Sequence, residues 1–227
     1  MKAFIFDLDG VIVFTDKFHY IAWKQMADQL GIYFDETINN RLRGVSRRES
    51  LEIILEGYEK HLTEEEKTTL MEEKNAAYRK LLHQMTPADV TKEVRTTLQQ
   101  LRKQGYLLAI GSSSKNAGFI LERVALSDAF DAISDGNDIS RSKPDPEVFL
   151  KAAELLDVTP SESFVVEDAY AGIDAAKAAG MQSIGIGDAA GYEKTDIKIQ
   201  SFGELLQITA HPENLISASD LPASHRD

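Results

Sequence analysis

Phe4-Ile5-Phe6-Asp7-Leu8-Asp9-Gly10-Val11 is the stretch on which the reading of this chain turns. The apolar run 3–6 has the length of a buried strand. It stops at two carboxylates one residue apart, followed by a glycine at which the chain can turn. In extended backbone alternate side chains share a side, so Asp7 and Asp9 point one way while Leu8 points back into the protein. Two carboxylates held together at a strand end repel each other unless a proton or a hard cation such as Mg2+ lies near them. An aspartate beside such a cation can serve as a nucleophile. An acidic loop without chemistry also fits an isolated Asp-x-Asp, so the other stretches decide.

Composition bounds what those stretches can mean. At 227 residues and 43% hydrophobic, the chain can bury a substantial core as one large domain or two small ones. No apolar run approaches the roughly 18 residues of a membrane helix, and the sequence opens on a strand rather than a signal-peptide pattern, so a cytoplasmic soluble protein is expected. With no cysteine, any metal must be held by oxygen or histidine. A formal net charge of −12 argues against a nucleic-acid surface, yet a few local cations can still hold a phosphorylated small molecule.

After Gly10 an apolar run 11–14 leads into helical periodicity from Thr15. Phe18, Ile21, Ala22, Gln25, Met26 and Leu30 fall largely on one face, and Gly31 ends the helix. As far as Pro87 only helices are predicted, one over 50–58 and a longer one over 63–83 opened by the capping box of Thr63 and Glu66. From 88 onward helices and strands alternate. Helices are predicted over 93–104, 118–125 and 171–179 and one ending near 156, with strands over 106–110, 132–134, 163–166 and 183–186. Repeated strand-helix-strand units imply an α/β fold, a Rossmann-like parallel sheet with helices on both faces, whose ligands bind at the carboxyl ends of the strands.

Those ends carry Asp7 and Asp9, Ser112 and Ser114 with Lys115 and Asn116, and Glu167 with Asp168. The helical block directly after the first strand would sit over them as a lid. The predicted organisation is therefore a discontinuous core, 1–14 and 87–227, with an all-helical cap inserted at 15–86. Gly111-Ser112-Ser113-Ser114 reads either as a loop with a helix cap or as a phosphate cradle of hydroxyl and N–H groups. Lys143 reads as solvated or as a ligand, and His19, Trp23 and Arg47 as cap packing or as ligands. Two adjacent acids closing an apolar strand, as at Glu167-Asp168, are hard to explain by packing.

Asp7-Leu8-Asp9-Gly10, Ser112, Lys143-Pro144-Asp145-Pro146 and Glu167-Asp168 resemble, in order and spacing, the four motifs of the haloacid dehalogenase superfamily. Further stretches resemble its sugar phosphomutases: Phe6 to Ile12, Thr15 with His19 and Trp23, Arg43-Gly44-Val45-Ser46-Arg47, Thr86-Pro87-Ala88-Asp89-Val90, Ser112-Ser113-Ser114-Lys115-Asn116, and Ser142-Lys143-Pro144. The likeness spans residues 1–206. The tail from His211 matches no pattern and is expected to be disordered.

The resemblance implies that Asp7 is the nucleophile that becomes an aspartyl phosphate and that Asp9 gives and takes the proton of the sugar hydroxyl. It implies that Mg2+ is bound by Asp7, the backbone carbonyl of Asp9 and Asp168, with Glu167 close by, and that Ser112 and Lys143 hold the transferring phosphoryl group. In the cap, Arg47 would grip the non-reacting phosphate. Thr15, His19, Trp23, Arg43, Gly44 and Val45, with Ser114, Lys115 and Asn116 of the core, would shape the sugar pocket. The chain departs from the pattern at Phe14, where relatives commonly carry an acid, at Lys92-Glu93 in place of Pro-Gly, and at Arg43 in place of lysine.

A mutase and a phosphatase share the aspartyl-phosphate step and differ in whether a sugar hydroxyl or water attacks it. Arg47 and the Ser-Lys-Asn stretch favour a bisphosphorylated sugar. The activity the resemblance implies is interconversion of β-glucose 1-phosphate and glucose 6-phosphate through β-glucose 1,6-bisphosphate, with a sugar-phosphate phosphatase as the alternative. A receiver domain phosphorylated on aspartate shares the fold class but leaves a cap of about seventy residues unexplained. A monomer acting on a small phosphosugar is expected, with neither nucleic acid nor membrane as partner.

Overall fold

The computed structural model describes residues 3–42 and 45–210. Arg43, Gly44 and the tail expected to be disordered lie outside them. Strand β1 (Ala3–Phe6) is followed by helices α1 (Asp16–Leu30), α2 (Glu36–Asn40), α3 (Arg47–Leu55) and α4 (Glu64–Leu82). Alternation then begins with α5 (Lys92–Lys103), β2 (Leu107–Gly111), α6 (Ala117–Arg123), β3 (Ala132–Ser134) and α7 (Glu147–Leu155). It continues through β4 (Ser163–Glu167), α8 (Tyr170–Ala178), β5 (Gln182–Gly185), β6 (Ile197–Lys198) and α9 (Leu205–Ala210). No helix of the described residues is long and apolar enough to cross a membrane.

The strands form one sheet in the order β3-β2-β1-β4-β5-β6, every neighbouring pair parallel. β1 lies in the middle because its four residues are buried on both faces, the pattern of a strand covered by helices. From β1 the chain crosses to β2 and β3 on one side and then returns past it to β4 on the other. Such a reversal leaves a crevice at the carboxyl end of the central strand. Asp7 follows β1 directly, Ser112 follows β2, and Glu167 closes β4, so the sheet order alone converges these three.

The helical block after β1 packs mainly through α1 against α4. Phe18, Ala22, Tyr78 and Leu82 extend the apolar cluster that contains Phe4 and Phe6, while Trp23, Met26, Phe34 and Leu51 form a cluster within the block itself. The buried stripe of α1 is Phe18, Ala22, Trp23, Met26 and Ala27, with Ile21 47% exposed, so the helix is rotated from the expected face. It is rotated because it must serve two clusters rather than one. Gly31 ends α1 with φ 71, as its position predicts. The first short helix, α2, was not expected, although Asp35 caps it by accepting from Ile38 N at 2.9 Å.

Candidate active site

The ladder runs one residue past β1, where Asp7 N donates to Val166 O at 2.9 Å. The backbone then turns sharply. Ile12 N and Val13 N both donate to Leu8 O, and Gly10 takes φ 97. A Cβ on Gly10 would lie 2.1 Å from Asp168 Oδ2, so only glycine lets the Asp9–Gly10 turn close against the end of β4. Leu8 is fully buried, as alternation requires.

Lys143 enters from the loop between β3 and α7. Its ammonium, 2% exposed, donates to Asp7 Oδ1 and, at 2.6 Å, to Glu167 Oε1. The other Glu167 oxygen accepts from Ala169 N at 3.0 Å. Burial alone would push the lysine toward neutrality, but Asp7 and Glu167 outweigh it and hold the charge firmly. The Asp7 carboxyl is raised well above the usual range by burial, against the pull of Lys143, and further by Glu167, Asp168 and Asp9. One buried lysine among four acids leaves a deficit of positive charge. Ligand atoms of Asp7, Glu167 and Asp168 lie within 4.8 Å of one another, an all-oxygen set suited to a hard divalent cation.

Above this centre the cap supplies a polar wall. Thr15 donates its hydroxyl to Asp9 Oδ1, and Tyr78 OH donates to Thr15 Oγ1 at 3.1 Å. Burial raises Asp9 to about 6, a shift the Thr15 bond opposes. The His19 ring lies 4.0 Å from that of Tyr78, and Lys74 Nζ stands 2.9 Å from His19 Nδ1. Burial, then Lys74 and Arg47, pull His19 down, toward the neutral ring. Lys74 is 3% exposed and lies 4.5 Å over the Trp23 ring; burial and then Arg47 pull it down as well. Arg47 Nη2 and Asn116 Nδ2 both donate to Asn75 Oδ1, at 2.9 and 3.0 Å, so Asn75 ties the cap to the core.

The structure thus joins Asp7, Lys143, Glu167 and Asp168 in one cluster and links Asp9, Thr15, Tyr78, His19 and Lys74 in a chain of contacts, while Arg47 meets Asn116 through Asn75 and Ser112 stands just past the end of β2. Ser114 lies within the 112–116 loop, accepting from Asn116 N at 3.2 Å. Trp23 is placed in the helical block's own apolar cluster and meets the polar wall through Lys74. Lys115 is exposed, and Val45 stands half-buried just before α3. Three residues of this wall escaped sequence reasoning, namely Lys74, Asn75 and Tyr78. The signal was faint but present: Lys74 lies four residues before Tyr78 and eight before Leu82, which puts a lysine on the buried stripe of an otherwise charge-rich helix.

A family model described as haloacid dehalogenase-like hydrolase matches residues 4–186. A β-phosphoglucomutase of Bacillus subtilis is 43% identical over 94% of this chain and 95% of its own length. A phosphorylated carbohydrates phosphatase of Thermotoga maritima is 34% identical over 81% of this chain and 84% of its own. Among solved structures, a β-phosphoglucomutase of Clostridium difficile superposes with a TM-score of 0.87 at 37% identity, covering 95% of this chain and 97% of that one.

Proposed function

Because the chain belongs to the haloacid dehalogenase-like hydrolase family and is a homologue of β-phosphoglucomutase over nearly its whole length, we propose that it interconverts β-glucose 1-phosphate and glucose 6-phosphate by way of phosphorylated Asp7. A carboxylate oxygen of Asp7 attacks phosphorus as the bond from phosphorus to the donor's oxygen breaks. The 6-hydroxyl of β-glucose 1-phosphate then attacks that phosphorus as its bond to Asp7 breaks, which forms the bisphosphate; this is released, rebinds turned end for end and gives its 1-phosphoryl group to Asp7, freeing glucose 6-phosphate. Asp9 protonates each leaving sugar oxygen and takes the proton from each attacking hydroxyl, a role suited to a carboxyl raised to about 6. Thr15, itself held by Tyr78, keeps that carboxyl turned toward the cap side.

Phosphoryl transfer asks for positioning and neutralisation more than for covalent help. Lys143 lies against Asp7, where the transferring oxygens would gather, and Ser112 offers its hydroxyl beside it. The all-oxygen cluster fits Mg2+, with Asp7, the Asp9 carbonyl and Asp168 as its holders and Glu167 fixed beside them by Lys143 and Ala169 N. Bound there, Mg2+ adds positive charge against the phosphoryl oxygens.

The observation that carries the mutase reading is the second cationic end. Arg47 and Lys74, half-buried and buried, lie near each other in the helical block, Lys74 beside His19 and Arg47 against Asn75, and neither shares the Lys143 contacts with Asp7 and Glu167. Hydrolysis of a monophosphate needs one phosphate site, whereas end-for-end exchange of a bisphosphate needs two. The test is to supply β-glucose 1-phosphate with Mg2+ and a trace of bisphosphate and to measure glucose 6-phosphate and inorganic phosphate together. Glucose 6-phosphate as the main product supports the proposal. Inorganic phosphate as the main product overturns it in favour of a sugar phosphatase.

A further inference from the structure

The loop 112–116 supplies both the reacting end of the site, through Ser112, and its distal end, through Ser114 and Asn116. Its internal hydrogen bonds are few: Ser114 N donates to Ser112 Oγ at 3.1 Å and Asn116 N to Ser114 Oγ at 3.2 Å. A loop this polar needs outside support to hold one shape.

That support comes from the loop after β3. Past the last register pair, Gly111 with Ser134, the contact between the two chain segments continues outward. Ser112 N donates to Ser134 O at 3.1 Å, Gly136 N to Ser114 O at 3.1 Å, and Asn137 Nδ2 to Lys115 O at 3.1 Å. The second loop is itself braced, since Asn137 N and Nδ2 donate to Asp135 Oδ1 at 2.8 and 2.9 Å, and Asp135 N donates to Asp138 Oδ2 at 2.9 Å. Gly136 is buried, and a Cβ on it would stand 2.4 Å from Ser113 O and 3.0 Å from Lys115 N. These are backbone atoms, which cannot step aside as a side-chain tip can. Any side chain at 136 must therefore displace the 113–115 backbone.

We propose that Gly136 and Asn137 are positioning residues for substrate binding: they hold the carbonyls of Ser114 and Lys115 and so fix the distal wall of the phosphosugar pocket. This rests on the functional reading above. Ser112 keeps its own bond to Ser134 O, and the hydrogen bonds of Asp7 and Lys143 run to other residues, so the chemistry at phosphorus should be affected less than sugar binding when the clamp is loosened. A misplacement of a positioning element by about 1 Å can cost on the order of 100-fold in catalytic efficiency.

The experiment compares wild type, Gly136→Ala and Asn137→Ala in two reactions. The first is steady-state turnover of β-glucose 1-phosphate. The second is labelling of Asp7 by acetyl phosphate, which has no distal group to place. The expected result is a rise in KM of about 10- to 100-fold for Gly136→Ala, a smaller rise for Asn137→Ala, and acetyl phosphate labelling within about twofold of wild type in both. Asn137 is exposed and its truncation leaves the backbone free of a clash, so that variant keeps the test open if Gly136→Ala fails to fold. An unchanged KM in Asn137→Ala, or sugar turnover and labelling that fall in parallel, overturns the proposal. Should wild type release inorganic phosphate as its main product, the mutase reading fails, while the ratio of variant to wild-type KM for that hydrolysis still decides the clamp.

Discussion

A carboxylate that attacks phosphorus must be charged, and Asp7 sits where burial and three neighbouring acids oppose its charge. Lys143 alone does not overcome them, so the nucleophile depends on the positive charge gathered around it. Asp7→Asn removes the attacking oxygen and weakens the cation site at once, and it should abolish both turnover and phosphoenzyme. Stoichiometric labelling of that variant by a phosphoryl donor would contradict the assignment. Asp9→Ala should lower kcat by about 10²–10⁴, the usual weight of general acid–base catalysis, while Mg2+ affinity, read by isothermal titration calorimetry, stays near wild type, since only the Asp9 carbonyl would be a ligand. Near-normal turnover would remove Asp9 from the mechanism. The acids and Ser112 were legible because each closes or follows a short apolar run at a known place in a parallel sheet, whereas Lys143, in the polar loop before α7, stood out only through the resemblance. Lys74 and Asn75 were not. Their neighbourhood, Glu72-Glu73-Lys74-Asn75, reads as a solvated helix surface, which masks the faint spacing signal of Lys74 with Tyr78 and Leu82 until α4 is seen packed against α1.

Elements were legible where a strand ended in polar residues or a helix ended in glycine, and illegible where they were very short. β6 has two residues, Ile197 and Lys198, and it exists only because β5 offers an edge to pair with. At α3 the expected helix over 50–58 begins instead at Arg47, because Ser46 and Glu49 form a capping box that starts the helix earlier. That difference matters to function, since the box places Arg47 in the first helical position. Ser46 Oγ accepts from Glu49 N at 3.2 Å, and Glu49 Oε2 accepts from Ser46 N at 2.9 Å. Loss of such a cap costs about 0.5–2 kcal/mol. In Ser46→Ala the melting temperature should therefore fall by about 2–4 °C per kcal/mol for a chain of this size. If α3 presents Arg47 to the substrate, KM for the phosphosugar should rise while kcat changes less. A lowered melting temperature with KM unchanged would show that the start of α3 does not serve the site.

At the scale of the whole molecule the question is what keeps water from the phosphoenzyme while the bisphosphate turns over. The helical block leaves the sheet after Val13, passes Phe14, which is 66% exposed, and returns through Pro87. Among its ties to the core, two stand at opposite places. Arg123 of α6 donates to His83 O and Met85 O at 2.9 and 3.0 Å, fixing the returning end of α4 to the core. Asn75 links Arg47 to Asn116 across the gap between cap and core. The first tie lies at the rim, and the second lies over the site, where a phosphate entering beside Arg47 would compete for the same guanidinium. A guanidinium binds phosphate through paired charge-assisted hydrogen bonds, so the distal phosphate can itself draw the cap shut and exclude water from the aspartyl phosphate. Arg47→Ala should then lose about 2–5 kcal/mol of transition-state binding, the range for truncating one partner of a buried charged pair. It should also raise the share of turnovers that end in inorganic phosphate, because the same contact that binds the sugar's far end keeps the cap closed. Measuring kcat/KM and the ratio of glucose 6-phosphate to inorganic phosphate in wild type and variant separates the two effects. A variant that loses affinity but keeps the wild-type product ratio would show that Arg47 binds without closing the cap, and would turn attention to the Arg123 and Asn75 contacts as what governs access of water.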